Sequence, residues 1–145
     1  MSRNWDIHII PASHLDYGWA ASPGECFAYV SEVIRTAIDD IECGQYPEFK
    51  FTVEYAMFMR HFLEVYPDYL PKVKRLLREG RLEVCSTMTG PIEHFIDGEV
   101  LIHQLVQAKK WVREHLDYDP VTAQHTDLPG HVTQIAQFLH KTEIK

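Results

Sequence analysis

The stretch "IIPASHLDYGWA", Ile9 to Ala20, opens as an apolar run and ends in a histidine, an aspartate and two aromatics. Joined to the residues before it, "DIHIIPAS" has the apolar, β-branched content of a strand. The next segment, "PGECFAYVSEVIRTAIDDIECG", reads as a helix. Pro23 suits its first turn, Phe27, Val30, Ile34, Ala37, Ile38 and Ile41 repeat at helical spacing, and Gly44 supplies a C-cap. A strand followed by a long amphipathic helix is one β-α unit, and the rest of the chain repeats the pattern.

"FKFTVEY", from Phe49 to Tyr55, places Phe49, Phe51 and Val53 on one face of a second strand and Lys50, Thr52 and Glu54 on the other. "AMFMRHFLEVYPDYLPKVKRLLREG" holds one helix up to Tyr66 and another from about Pro71 to Gly80, because Pro67 and Pro71 interrupt helical hydrogen bonding. "RLEVCSTMT", Arg81 to Thr89, is a third strand. "GEVLIHQLVQAKKWVREHL" repeats apolar residues at Val100, Leu101, Leu105, Val106, Ala108, Val112 and Leu116, with charge on the opposite face. "PVTAQHTD" is expected as a fourth, short strand and "GHVTQIAQFLHKTEIK" as a fourth, shorter helix. Four such units predict the α/β class: a parallel sheet covered by its crossover helices, in one domain, with its chemistry at the carboxyl ends of the strands.

Composition narrows the function classes. The chain has 145 residues, 46% hydrophobic and 24% charged, which suits a globular domain with one core and argues against disorder. A net charge of -7 with no basic run excludes nucleic acid and anionic membranes as expected partners. Cys26, Cys43 and Cys85 form no Cys-x-x-Cys pair, so neither a disulfide framework nor a thiolate zinc site is expected, and a reducing, cytoplasmic compartment fits best. The opening "MSRNWDIHII" carries Asp6 and His8 inside its only apolar run, which does not make a secretory signal, and no later run reaches membrane-spanning length.

The candidate chemistry lies at the strand ends. Residues i and i+2 of a strand share a side, so His14 and Asp16 converge if extended geometry persists past Ala12. "QHTD" offers the same spacing in His125 and Asp127, at the same end of a later unit. Imidazole nitrogen with carboxylate oxygen suits zinc or a similar divalent ion, and three or four protein ligands leave a position for substrate. The alternative is that His14 and Asp16 only cap and orient the following turn. Both readings stand at this point.

"HLDYGW", His14 to Trp19, resembles the His-x-Asp-x-Gly-Trp segment of the glycoside hydrolase family 38 α-mannosidases, and "TDLPGH", Thr126 to His131, resembles their Asp-x-Phe-Gly-His segment. Order and spacing also agree. "LLREGRLEV" is similar to the family's helix end and third strand, and "FTVEYAMF" to its second strand, so the resemblance spans nearly the whole chain. It implies a seven-stranded β/α barrel, a zinc ion held by His14, Asp16 and Asp127 with a further histidine from later in the chain, Asp127 as nucleophile of a retaining hydrolase, and Trp19 lining the sugar subsite. In that chemistry an ionised carboxylate beside the cation attacks the anomeric carbon and forms a covalent glycosyl-enzyme.

The sequence departs from the pattern at Pro129, where the motif has Phe, at Val132, where it has Ser, and around "TMTGPIEHFIDGE", where no Gly-Gly-Trp is found. His125 is not one of the family's ligands. A complete β/α barrel needs about 250 residues, so residues 1–145 are expected to form the amino-terminal part of the barrel domain, about four β-α units, with the general acid and fourth ligand beyond Lys145 and the fragment itself inactive. Glu54 is open to two roles, substitute acid or buried structural carboxylate, and Trp19 to two, sugar platform or plug. Tyr17 either points inward or packs on the first helix. His131 is expected to orient the loop or Asp127. Two other functions remain in play: a metal-dependent carbohydrate deacetylase and a non-catalytic carbohydrate-binding remnant. Truncation is also expected to expose barrel-facing side chains at Ile9, Phe51 or Val53, and Val84, favouring edge-to-edge pairing as a homo-oligomer.

Overall fold

The computed structural model describes residues 4–19 and 21–145. Three parallel strands, β1 (Ala12–Ser13), β2 (Phe51–Val53) and β3 (Leu82–Val84), form a sheet in the order β1-β2-β3. Helices α1 (Pro23–Glu42), α2 (Ala56–Val65), α3 (Leu70–Arg78) and α4 (Gly98–Leu116) supply the crossovers and the covering layer, and α5 (Ile135–Lys141) closes the chain. The α/β class is therefore present, with a three-stranded parallel sheet.

Local signals set the helix limits. Ser22 and Glu25 make a reciprocal capping box at the start of α1, with the Ser22 amide donating to Glu25 Oε2 at 2.9 Å and Pro23 in the first turn. The far end passes through Cys43 into Gly44, whose φ of 71° is the left-handed value that terminates helices. Asp97 caps α4 by accepting from the Val100 amide at 2.9 Å. The expected proline break falls at Tyr66, between α2 and a short 3-10 turn at Pro67–Tyr69.

The core lies between the sheet and its helices. Val30, Ile34 and Ile38 of α1, Phe58, Met59 and Phe62 of α2 and Val112 of α4 are essentially inaccessible, and they meet Phe51, Val53, Leu82 and Val84 from the strands. This corrects the expectation that truncation leaves Phe51 or Val53, and Val84 or its neighbours, in water: Phe51, Val53 and Val84 are all buried, in the cluster they share with the helices. Ile9 is exposed as expected, together with Trp5, Ile7 and Ile10. Lys109 also departs from the pattern. It sits buried in α4, where its ammonium donates to the Thr142 carbonyl at 2.9 Å and ties α4 to the end of α5.

All four expected strands are shorter or missing: β2 covers only Phe51–Val53 of the expected Phe49–Tyr55, and β3 only Leu82–Val84 of Arg81–Thr89. Only Ala12–Ser13 of "DIHIIPAS" pairs with β2, and Pro11 contributes its carbonyl, which accepts from the Thr52 amide at 2.9 Å, but has no N–H to give. "PVTAQHTD" forms no strand. It passes beside β3 with a single backbone bond, Ser86 N to Thr122 O at 2.7 Å, while the Thr122 hydroxyl donates to Glu83. The segment thus occupies the position of a fourth strand without its ladder, and a seven-stranded barrel is not seen. No helix among the described residues is long and apolar enough to cross a membrane.

Phe62, fully buried among aromatic neighbours Tyr66 and Tyr69, tests this core. Phe62→Ala is expected to lower stability by about 3–5 kcal/mol, read as a fall in the urea midpoint with an unchanged slope.

Candidate active site

Sheet register explains the site. Ala12 pairs with Thr52 and Ser13 with Val53, so continuing one residue sets His14 beside Glu54 on the face opposite the helices. Glu54 is 0% exposed, and a carboxylate so placed needs hydrogen-bond donors. It finds one in His14, whose Nδ1 lies 3.0 and 3.2 Å from its two oxygens. A carboxylate only accepts, so Nδ1–H donates, and Nε2 is the ring nitrogen left facing away from Glu54. Glu54 thus contacts and orients a histidine.

Nε2 lies 3.7 Å from Asp16 Oδ1. The extended backbone ends at His14, and Asp16 opens a turn in which its carbonyl accepts from the Trp19 amide at 3.4 Å and Gly18 takes φ 76°. Asp127 arrives from the loop before α5 with φ 55°, a left-handed conformation that Asp tolerates at some cost and that recurs at functional sites. One ligand atom from each of His14, Asp16 and Asp127 lies within 4.8 Å of the others. Donors around a tetrahedral ion with bonds of about 2.0 to 2.2 Å stand about 3.3 to 3.6 Å apart, so this N,O,O set fits a divalent ion after small side-chain adjustments.

The site opens on a cavity of about 380 Å³ lined by His14, Asp16, Tyr17, Tyr55, Gly90 and Leu128. A larger groove, about 520 Å³, is lined only by helical residues such as Leu63 and Trp111 and holds no such donor set. Burial, with the Glu54 charge, pushes the Tyr55 phenol well above its ordinary range, so it faces the cavity as a neutral hydroxyl. Tyr17 packs edge-on against Phe27 of α1, ring centres 5.0 Å apart, which answers the question of its direction. Trp19 is 88% exposed. The three cysteines are free, and burial pushes the Cys85 thiol up to about 12.

The second His-x-Asp pair separates. Asp127 joins His14, whereas His125 turns to Glu93, 2.8 Å from its Nδ1. His131 Nδ1 lies 2.9 Å from the same Glu93 oxygen, and the Val132 amide donates to the other at 2.8 Å. His131 and the Val132 amide thus both reach the 3-10 turn that carries Glu93. Burial raises the Glu93 carboxyl, but the bonds from His131, the Val132 amide and His125 outweigh it and hold the group below the ordinary carboxylate range. Glu93 was not legible as a partner, because its contacts lie 32 and 38 residues away along the chain.

Comparison with known proteins identifies the family. Residues 4–145 match the family described as glycosyl hydrolases family 38 N-terminal domain. The chain belongs to that family. It is 26% identical over 147 residues to a probable alpha-mannosidase of Arabidopsis thaliana, covering 92% of this chain and 14% of the relative. It is 29% identical over 126 residues to the epididymis-specific alpha-mannosidase of Homo sapiens, covering 82% of this chain and 12% of the relative. The fold resembles the crystal structure of an alpha-mannosidase from Enterococcus faecalis V583, with a TM-score of 0.82 at 19% identity over 93% of this chain and 15% of that one. A 4-alpha-glucanotransferase from Thermococcus litoralis also shares it, with a TM-score of 0.69 at 23% identity over 94% of this chain and 21% of that one. The chain therefore spans a small part of the relatives it matches.

Gly90 touches the cavity wall so closely that a Cβ there would meet Tyr55 Oη at 2.4 Å. Gly90→Ala is expected to displace the Tyr55 ring and cost about 1–3 kcal/mol, measured by thermal unfolding against the parent chain.

Proposed function

We propose that this chain supplies the nucleophile and three metal ligands of a retaining, α-mannosidase-like glycoside hydrolase, acting on a mannoside-like carbohydrate. The observation that carries the reading is the convergence of His14, Asp16 and Asp127 from two separate chain segments, with the His14 ring fixed from behind by buried Glu54. A carboxylate, hydroxyl or carbonyl that holds the far nitrogen of a ligating histidine is the usual support of a metal site. On this reading the residues are the amino-terminal part of a seven-stranded β/α barrel. Their relatives are about seven times longer, which leaves room for the general acid and a fourth ligand outside residues 1–145. The isolated chain is then inactive. Its three free cysteines support a reducing, cytoplasmic setting.

His14, Asp16 and Asp127 would hold the zinc ion, which when bound would supply Lewis-acid chemistry toward the sugar. The protein's own residues do the rest. Glu54 keeps Nδ1 of His14 engaged so that Nε2 alone faces the site. Asp127 attacks the anomeric carbon as the glycosidic bond breaks, the leaving oxygen takes a proton from the general acid, and water then releases the sugar from Asp127 with retained configuration. Exposed Trp19 offers an apolar ring to the sugar face.

In the complete protein, Asp127→Ala is expected to abolish turnover, and His14→Ala to lose both turnover and zinc. Glu54→Gln is expected to weaken zinc binding about 10- to 100-fold while the chain stays folded. Trapping with a fluorinated glycosyl donor and peptide mapping should label the peptide containing Asp127. Full activity of Asp127→Ala, or release of acetate in place of reducing sugar, contradicts the glycosidase reading.

A further inference from the structure

Glu93, His125 and His131 form a second group of ligating side chains, separate from the first. Glu93 lies in a 3-10 turn, Glu93–Phe95, and its side chain is 0% exposed. Its ion-pair partners among the described residues are the two histidines; no lysine or arginine reaches it. Both rings turn Nδ1 toward the same oxygen, Oε1, at 2.8 and 2.9 Å, and they stack with centres 5.8 Å apart. Oε2 is held separately by the Val132 amide. The His125 side chain is 8% exposed, and its Nε2 is buried with no partner, so Nδ1 makes that ring's one polar contact.

We propose that Glu93, His125 and His131 bind a second divalent transition-metal ion of the zinc type, fastening the loop that carries Asp127 to the 3-10 turn. The donor set is two imidazole nitrogens and one carboxylate oxygen, a combination that suits zinc. All three atoms lie within 4.8 Å of one another. Donors around a tetrahedral ion with bonds of about 2.0 Å stand about 3.3 Å apart, so the present 2.8 and 2.9 Å separations need to open by a few tenths of an ångström. An ion there also brings positive charge to a buried carboxylate that no fixed cation neutralises. Val132 fixes the carboxylate from its other oxygen, the outer-shell support that ligands of this kind receive. His131, half exposed, leaves an entry path and a side open to solvent. Asp127 lies between the two histidine ligands in sequence, so the ion would clamp both flanks of the residue with the left-handed backbone.

The test is a count of ions on the untagged 145-residue chain, stripped with chelator and titrated with zinc under native mass spectrometry and calorimetry. The parent chain is expected to bind two zinc ions, the one at His14 more weakly because its fourth ligand is expected outside residues 1–145. His131→Ala or Glu93→Gln should leave one, His14→Ala should leave the other, and the double variant His14→Ala/His131→Ala should leave none that binds tightly. A His94→Ala control should still bind two. Circular dichroism checks each fold, and half-exposed His131 decides the matter if Glu93→Gln fails to fold. The proposal is overturned if His131→Ala binds as many ions as the parent, because Glu93 then only receives hydrogen bonds. Loss of an ion in His14→Ala alone would leave the catalytic reading intact while removing this one.

Discussion

A carboxylate without solvent is the constraint on which the rest depends. Glu54 is fully buried at the end of β2, where an unpaired acidic group would cost several kcal/mol. The neighbouring strand answers with His14, one residue past the paired segment and on the same face. That contact fixes the tautomer and the angle of the ring, and so decides which nitrogen faces Asp16 and Asp127. The parallel pairing of β1 with β2 is thus also the device that aims the ligand.

The helices make this pairing rigid. Phe51, Val53 and Val84 are held against α1, α2 and α3 on one face of the sheet, which leaves Thr52, Glu54 and Glu83 for the other. One face is a dry core and the opposite face is polar. The segment from Pro120 to Asp127 then crosses beside β3 on few bonds, chiefly Ser86 to Thr122 and Thr122 to Glu83. Its far end is held by Glu93, through His125, His131 and Val132. Asp127 is therefore placed by anchors on both sides of it.

Much of this was legible in the chain. Helical spacing, Ser22, Pro23 and Gly44 marked α1, and Pro67 marked the break after α2, because these are local signals. His14, Asp16 and Asp127 were legible through spacing and through the resemblance of "HLDYGW" and "TDLPGH" to family 38. The fourth strand was misread because apolar content does not reveal whether a neighbour offers a complete ladder. The expected exposure of Phe51 or Val53, and of Val84, does not hold, because alternation along a strand separates its two faces without saying which one the helices cover. Glu93 had no local signature at all: its partners are set by how two loops meet. His125 looked like a repeat of His14, yet lacks a buried carboxylate on a paired strand to turn it the same way.

The most direct measurement is anomalous diffraction at the zinc edge from crystals of the chain grown with zinc. The account predicts a peak about 2.0 to 2.2 Å from His14 Nε2 and from oxygens of Asp16 and Asp127, with Nδ1 of His14 still bonded to Glu54. Absence of a peak there, or an ion on Nδ1 with the Glu54 contact broken, would contradict it.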